Sequence, residues 1–119
     1  MNKREVGAFY ETKAAEYLES QGYSILERNY TDGYGEIDII AIANQTVIFV
    51  EVKYRNDDHY GDGFEAVDRR KRRHLYNTAI TYVQGLTYSN LAYRFDCISF
   101  INGEINWIQN VLWGDEIGY

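Results

Sequence analysis

The chain has 119 residues, of which 45% are apolar. That is enough for one compact domain over residues 1–119 with a genuine core, and too little for a second. Its one cysteine, Cys97, excludes an internal disulfide, and no apolar run approaches the ~20 residues that span a bilayer. The N-terminal residues also lack the apolar core of a signal peptide, so the expectation is a cytoplasmic protein with no membrane association. A net charge of −6 opposes phosphate binding by the molecule as a whole. Positive charge is concentrated instead, with five of the twelve lysines and arginines in the run Arg69, Arg70, Lys71, Arg72, Arg73. A local basic face bears more on binding than total charge does.

There is no proline, so glycine and Asn/Asp must punctuate the chain. The first predicted element is a helix, Lys3 to Gln21, in which Val6, Phe9, Tyr10, Lys13, Ala14, Tyr17 and Leu18 recur at helical spacing and Gly22 stands at the stop. A strand follows over Tyr23 to Asn29, and Asp32-Gly33 is a hairpin turn signal. Glu36 to Ala43 and Thr46 to Tyr54 read as two strands joined by Asn44-Gln45. Within the second, Val47-Ile48-Phe49-Val50 is apolar on both faces, the pattern of a central strand covered on each side. A loop over Asn56 to Gly63 leads to a helix from Phe64 to Gln84, with Phe64, Val67, Leu75, Ala79 and Tyr82 along one side. Tyr93 to Ile101 and Glu104 to Leu112 are strands hinged at Asn102-Gly103. The order gives an α/β sheet with a helix on each face.

Glu51 and Lys53 are two apart and therefore share a strand face. The four apolar residues before Glu51 leave that strand no wet side, and Asp38 is similarly set between Ile37 and Ile39, which are expected to point away from it together. If the strands pair through Asn44-Gln45, Asp38 lies near Glu51. Charge clustered at the end of a buried strand needs a partner or a metal. Asp and Glu oxygens suit a hard divalent cation, which polarises a phosphate and lowers the pKa of bound water. A neighbouring lysine can orient that water or offset negative charge. A structural Glu51–Lys53 pair with Asp38 exposed is the competing reading. Two histidines and one cysteine supply no zinc set.

The blocks Gly7 through Glu11 to Leu18, Arg28-Asn29-Tyr30, Gly35-Glu36-Ile37-Asp38-Ile39-Ile40-Ala41, Phe49-Val50-Glu51-Val52-Lys53-Tyr54-Arg55 and Arg94-Phe95-Asp96 resemble the YraN-like family. Those bacterial proteins are assigned as endonucleases of the restriction-endonuclease-like, PD-(D/E)-x-K superfamily and are similar to archaeal Holliday-junction resolvases. The resemblance runs from Gly7 to about Val111. It implies an α-β-β-β-α-β core with a mixed central sheet flanked by helices, and Mg²⁺ or Mn²⁺ as cofactor. Asp38 and Glu51 would be metal ligands, the Val52 backbone carbonyl a further one, Lys53 the motif lysine, and Glu11, the extra acidic residue of resolvase-like members, would also serve the metal. The family usually carries glycine before that glutamate, where this chain has Tyr10, and Ile37 replaces the superfamily's proline.

The implied activity is metal-dependent hydrolysis of DNA phosphodiesters, with branched DNA suggested by the resolvase likeness and a homodimer suited to a two-fold junction. DNA is favoured over RNA. Arg55, on the strand face of Lys53, is a candidate phosphate contact. So are Arg69, Arg70, Lys71, Arg72 and Arg73, although five consecutive helical residues sweep the whole circumference and cannot all face one partner. Lys71 lies four residues from both Val67 and Leu75, on the inward stripe. The alternative from another class is a non-catalytic module that keeps the fold and binds nucleic acid or a repair protein.

Overall fold

The computed structural model describes residues 2–33, 35–55, 69–87 and 90–111, with the side chains of residues 69–72 outside that description. The elements run α1 (Lys3–Ser20), β1 (Ser24–Thr31), β2 (Glu36–Ala43), β3 (Thr46–Arg55), α2 (Arg69–Gln84), β4 (Ala92–Ile101) and β5 (Glu104–Ile108). The five strands form one mixed sheet in the order β1-β2-β3-β4-β5. Only β3 and β4 are parallel, because the α2 crossover returns the chain to the same end of the sheet; the other neighbours are antiparallel. The predicted loop Asn56 to Gly63 and the first residues of the predicted second helix, Phe64 to Asp68, lie outside the described residues. Among the described residues, no helix is long and apolar enough to cross a membrane.

Local chemistry explains the boundaries. Asn2 caps α1, its side chain accepting from the Glu5 N–H at 2.9 Å while Glu5 reaches back to the Asn2 N–H. At the other end Gly22 adopts φ +94°, and Tyr23 N–H closes onto the Leu18 carbonyl at 3.0 Å. Asn44-Gln45 and Asn102-Gly103 have positive φ at both residues, the two-residue hairpin geometry that matches strand twist. β1 runs further than expected because Tyr30 and Thr31 pair with Ile37 and Glu36. β5 is shorter than expected. Its ladder stops at Ile108 opposite Cys97, and the chain then turns at Asn110 (φ 62°) so that Val111 N–H reaches the Phe95 carbonyl at 2.8 Å.

The core has two layers. Ala14, Ala15 and Leu18 of α1 pack on Ile39, Ala41, Ile48, Val50, Ile98 and Phe100. On the opposite face Leu75, Tyr76, Ala79 and Tyr82 of α2 pack on Ile37, Ile40, Val47, Phe49 and Phe95. Val47 through Val50 are all essentially inaccessible, as expected of a strand covered on both sides.

One polar knot sits in the α1 layer. The buried Asp96 carboxylate accepts from Arg94 Nε at 3.0 Å, Trp107 Nε1 at 2.9 Å and the Asn110 N–H at 3.2 Å, while Arg94 also donates to the Tyr23 hydroxyl at 3.1 Å. These bonds tie β4, β5, the turn after β5 and the entry to β1 together. Asp96→Ala would strand the Arg94 charge and two further donors, and is expected to cost about 3–5 kcal/mol. Urea denaturation at neutral pH measures this, and a loss under 1 kcal/mol would show the knot to be dispensable.

Candidate active site

β2 and β3 begin as a regular hairpin and then separate. Their ladder runs from Ala43 opposite Thr46 to Ile39 opposite Val50 and stops there. β2 continues along β1 to Glu36, while β3 continues along β4 to Arg55. The two strands thus fork beyond Ile39 and Val50, and the next N–H of β3 that faces β2, that of Val52, would be left without a ladder partner. Asp38 Oδ2 accepts it at 2.9 Å.

The backbone shows how the aspartate reaches into the fork. Ile39 packs in the α1 layer but Ile37 packs in the α2 layer. Residues two apart on a regular strand share a face, so the alternation of β2 breaks at Asp38. The expectation that Ile37 and Ile39 point the same way is corrected accordingly. Across the ladder Asn29 sits between the pairs Arg28–Ile39 and Tyr30–Ile37 with φ 55°, a left-handed conformation that asparagine tolerates better than most residues. The paired distortion turns the carboxylate toward β3 instead of leaving it on a face of the sheet.

Glu51, Lys53 and Arg55 alternate with Val50, Val52 and Tyr54, and Val52 belongs to the α1 layer. The two carboxylate-and-cation positions therefore lie on the α2 face, with Arg55 beyond them, as the spacing predicts. Lys53 Nζ stands 3.8 Å from Glu51 Oε1, both side chains partly exposed. An extended residue directs its N–H and C=O to the same edge, so the Val52 carbonyl faces the fork alongside its N–H. Glu11 reaches the region from α1 and is largely buried, held 3.6 Å from Arg28 on β1.

Electrostatically, the fork is short of positive charge at its centre. Burial raises the pKa of Asp38 from 3.8 to about 7; the Val52 N–H pulls it down, and the charges of Glu51, Glu11 and Glu36 push it up. A carboxyl group that burial and neighbouring acids both keep from ionising is one that a cation would relieve. Asp38 and Glu51 offer hard oxygen donors of the kind Mg²⁺ and Mn²⁺ take, with the Val52 carbonyl as a third. Among the described residues no group of three His, Cys, Asp or Glu side chains is placed to hold a metal ion.

The remaining predicted positions separate into groups. Arg55 is half-buried at the end of β3, its carbonyl accepting from Asn102 N–H at 3.0 Å. Arg69, Arg70, Lys71 and Arg72 lie in the opening turns of α2 with side chains outside the described residues, and Arg73 is exposed. Tyr10 stacks on Tyr54, with ring centroids 4.7 Å apart. Arg28 as the partner of Glu11, and Asn29 as the hinge opposite Asp38, are missing from the sequence reading. The signal for Asn29 is its residue type inside an otherwise strand-like run.

The model of the uncharacterised protein family UPF0102 matches residues 10–100. A UPF0102 protein of Fusobacterium nucleatum is 50% identical over 119 residues, covering 100% of both chains. One from Caldicellulosiruptor saccharolyticus is 46% identical over 116 residues, covering 92% of this chain and 98% of its own. One from Vibrio parahaemolyticus is 44% identical over 114 residues, covering 93% and 94%.

The raised Asp38 pKa carries a pH signature. Between about pH 4 and pH 7 the folded chain holds a proton that the unfolded chain releases, so this residue's contribution to stability is lost as pH rises through that window. Asp38→Asn keeps an oxygen for the Val52 N–H and removes the charge. It is expected to match the native protein near pH 4 and to exceed it by on the order of 2–4 kcal/mol at pH 8 without divalent ions. Parallel denaturation curves across that range would show Asp38 to ionise normally.

Proposed function

We propose that this chain, which belongs to the UPF0102 family, is a metal-dependent endonuclease acting on DNA, with its sheet and helices arranged as a restriction-endonuclease-like core. The observation that carries this reading is the part-buried Asp38, its pKa raised to about 7 by burial and by the charges of Glu51 and Glu11, where β2 leaves β3, with Lys53 paired to Glu51. The order α1-β1-β2-β3-α2-β4, with β3 and β4 parallel, supports the fold assignment.

Asp38, Glu51 and the Val52 carbonyl would hold Mg²⁺ or Mn²⁺. Such an ion supplies polarisation of the scissile phosphate and a bound water acidic enough to ionise near neutral pH. The protein's own contribution is positional. The Val52 N–H fixes one oxygen of Asp38 and leaves the other for the ion. Lys53, beside Glu51, orients the attacking water or balances negative charge that gathers on the phosphate. Glu11, anchored by Arg28, adds negative field that strengthens cation binding. Arg55 shares the strand face of Lys53 and serves as a phosphate contact next to the reacting group. The basic opening of α2, Arg69 to Arg73, supplies contacts that position the backbone without reading sequence. Branched DNA is the substrate form the resolvase likeness favours, and a homodimer would match its symmetry.

A net charge of −6, with no group of three His, Cys, Asp or Glu side chains placed to hold a metal among the described residues, favours a second reading, a non-catalytic module binding nucleic acid or a repair protein. Two measurements separate them. An ion at 100 times its Kd should stabilise the native protein by about 2.7 kcal/mol, seen as a rise in Tm that Glu51→Gln abolishes. Cleavage of a panel of single-stranded, duplex, flap and four-way-junction DNA with Mn²⁺ should be lost in Asp38→Asn and in a folded Lys53→Ala. No metal-linked change in Tm, together with no cleavage of any substrate, would favour the binding module. Unfolding of Lys53→Ala would make Lys53 a structural partner.

A further inference from the structure

Two large hydrophobic side chains among the described residues stand exposed, Phe9 at 45% and Tyr54 at 40%, and both rest on one ring. Tyr54 lies flat on Tyr10, centroids 4.7 Å apart and planes 13° from parallel, and Phe9 meets Tyr10 edge-on at 5.2 Å. Tyr10 is in turn seated on Phe100 at 5.0 Å, so the cluster is braced against the α1 layer. The rings are thus held in place while two of them keep open surface, at a cost in exposed apolar area that the core does not require.

Position narrows what such a surface takes. Tyr54 is the residue after Lys53, and Tyr10 the residue before Glu11, so the cluster borders the fork on its α1 side. The last described pair of the β2–β3 ladder is Ile39–Val50, which leaves residues 51–55 of β3 paired on the β4 side alone. A cation meets the rings directly, the Lys13 ammonium lying 5.4 Å from the Phe9 centroid, while Lys53 and Arg55, on the opposite face of β3, lie across the strand from Tyr54. Flat apolar rings beside positive charge fit a nucleobase joined to its phosphate better than an aliphatic protein or lipid surface. Every base offers a π-face, and phosphate complements the cations.

Resting on the nuclease reading and extending it to the substrate's form, we infer that Phe9, Tyr10 and Tyr54 make a stacking platform for an unpaired base next to the scissile phosphate. The site therefore prefers single-stranded or flap-bearing DNA over continuous duplex. A base inside a duplex already stacks on both faces and has none to offer, whereas an unpaired base has an open one.

The test uses the full chain in EDTA, so that binding is read without cleavage. The probes are a single-stranded oligodeoxynucleotide carrying one 2-aminopurine and a blunt duplex of the same length. Native protein should quench the fluorophore on binding and hold the single strand more tightly than the duplex. Tyr54→Leu retains apolar bulk against Tyr10 and should weaken single-strand binding about tenfold, with loss of quenching, while Tyr54→Phe behaves as native. Phe9→Ala, at the more exposed ring, provides a second variant and should weaken binding in the same direction. Equal affinity of Tyr54→Leu and native protein for the single strand, or a native preference for duplex, overturns the platform. Cleavage by the native protein with Mn²⁺ is scored separately. If Tyr54→Leu loses single-strand binding and quenching while the native protein cleaves no substrate in a metal-dependent way, the nuclease reading fails and the platform stands as a binding surface. If cleavage is found but Tyr54→Leu binds normally, the platform alone fails.

Discussion

The hydrogen bond from the Val52 N–H to the Asp38 carboxylate is the contact on which the arrangement of the site depends. A β-ladder cannot simply end beside a buried strand, because the first N–H beyond the last pair would lose both water and partner. Here the side chain of the departing strand replaces its own backbone as acceptor. That substitution allows β2 and β3 to separate inside the sheet, and it brings a carboxylate into the space they leave. The same bond sets the chemistry, since it occupies one oxygen and holds the group among three other acids that resist its ionisation.

The fork is kept open by the layers on either side. α1 presses Ala14, Ala15 and Leu18 onto the face carrying Ile39 and Val50, and α2 presses Ala79 and Leu75 onto the face carrying Ile37 and Phe49. Because Ile37 and Ile39 go to different layers, β2 must twist between them, and Asp38 is the residue at which it twists. Thr78, buried on α2, donates to Asp32 at 2.6 Å and fastens the turn that precedes β2. Arg28 fastens Glu11 from the other side. Apolar packing thus determines where the strands part, and polar contacts fix where the acids end up.

The two acids Asp96 and Asp38 are of different kinds. Asp96 is buried, yet each of its described partners is a structural donor, from Arg94, Trp107 and the Asn110 backbone. Asp38 is less buried, has one backbone donor, and faces like charge. A satisfied buried acid contributes to stability and uniqueness of the fold; an acid held against its own ionisation is the kind found where binding or catalysis needs it.

The order of elements, the central strand Val47–Val50 and the turns at Asp32-Gly33, Asn44-Gln45 and Asn102-Gly103 were all legible from residue type and spacing, because each depends on neighbours a few positions away. So was the shared face of Glu51 and Lys53, which follows from strand periodicity alone. The sequence could not specify the break at Asp38, the left-handed Asn29 across from it, the pairing of Glu11 with Arg28, or the stack of Tyr10 on Tyr54. These arise where two packed layers impose conflicting demands on one strand, and that conflict exists only once distant segments have met. Tertiary packing therefore decided which of the chain's eighteen acidic residues stand at the fork, and how strongly one of them holds its proton.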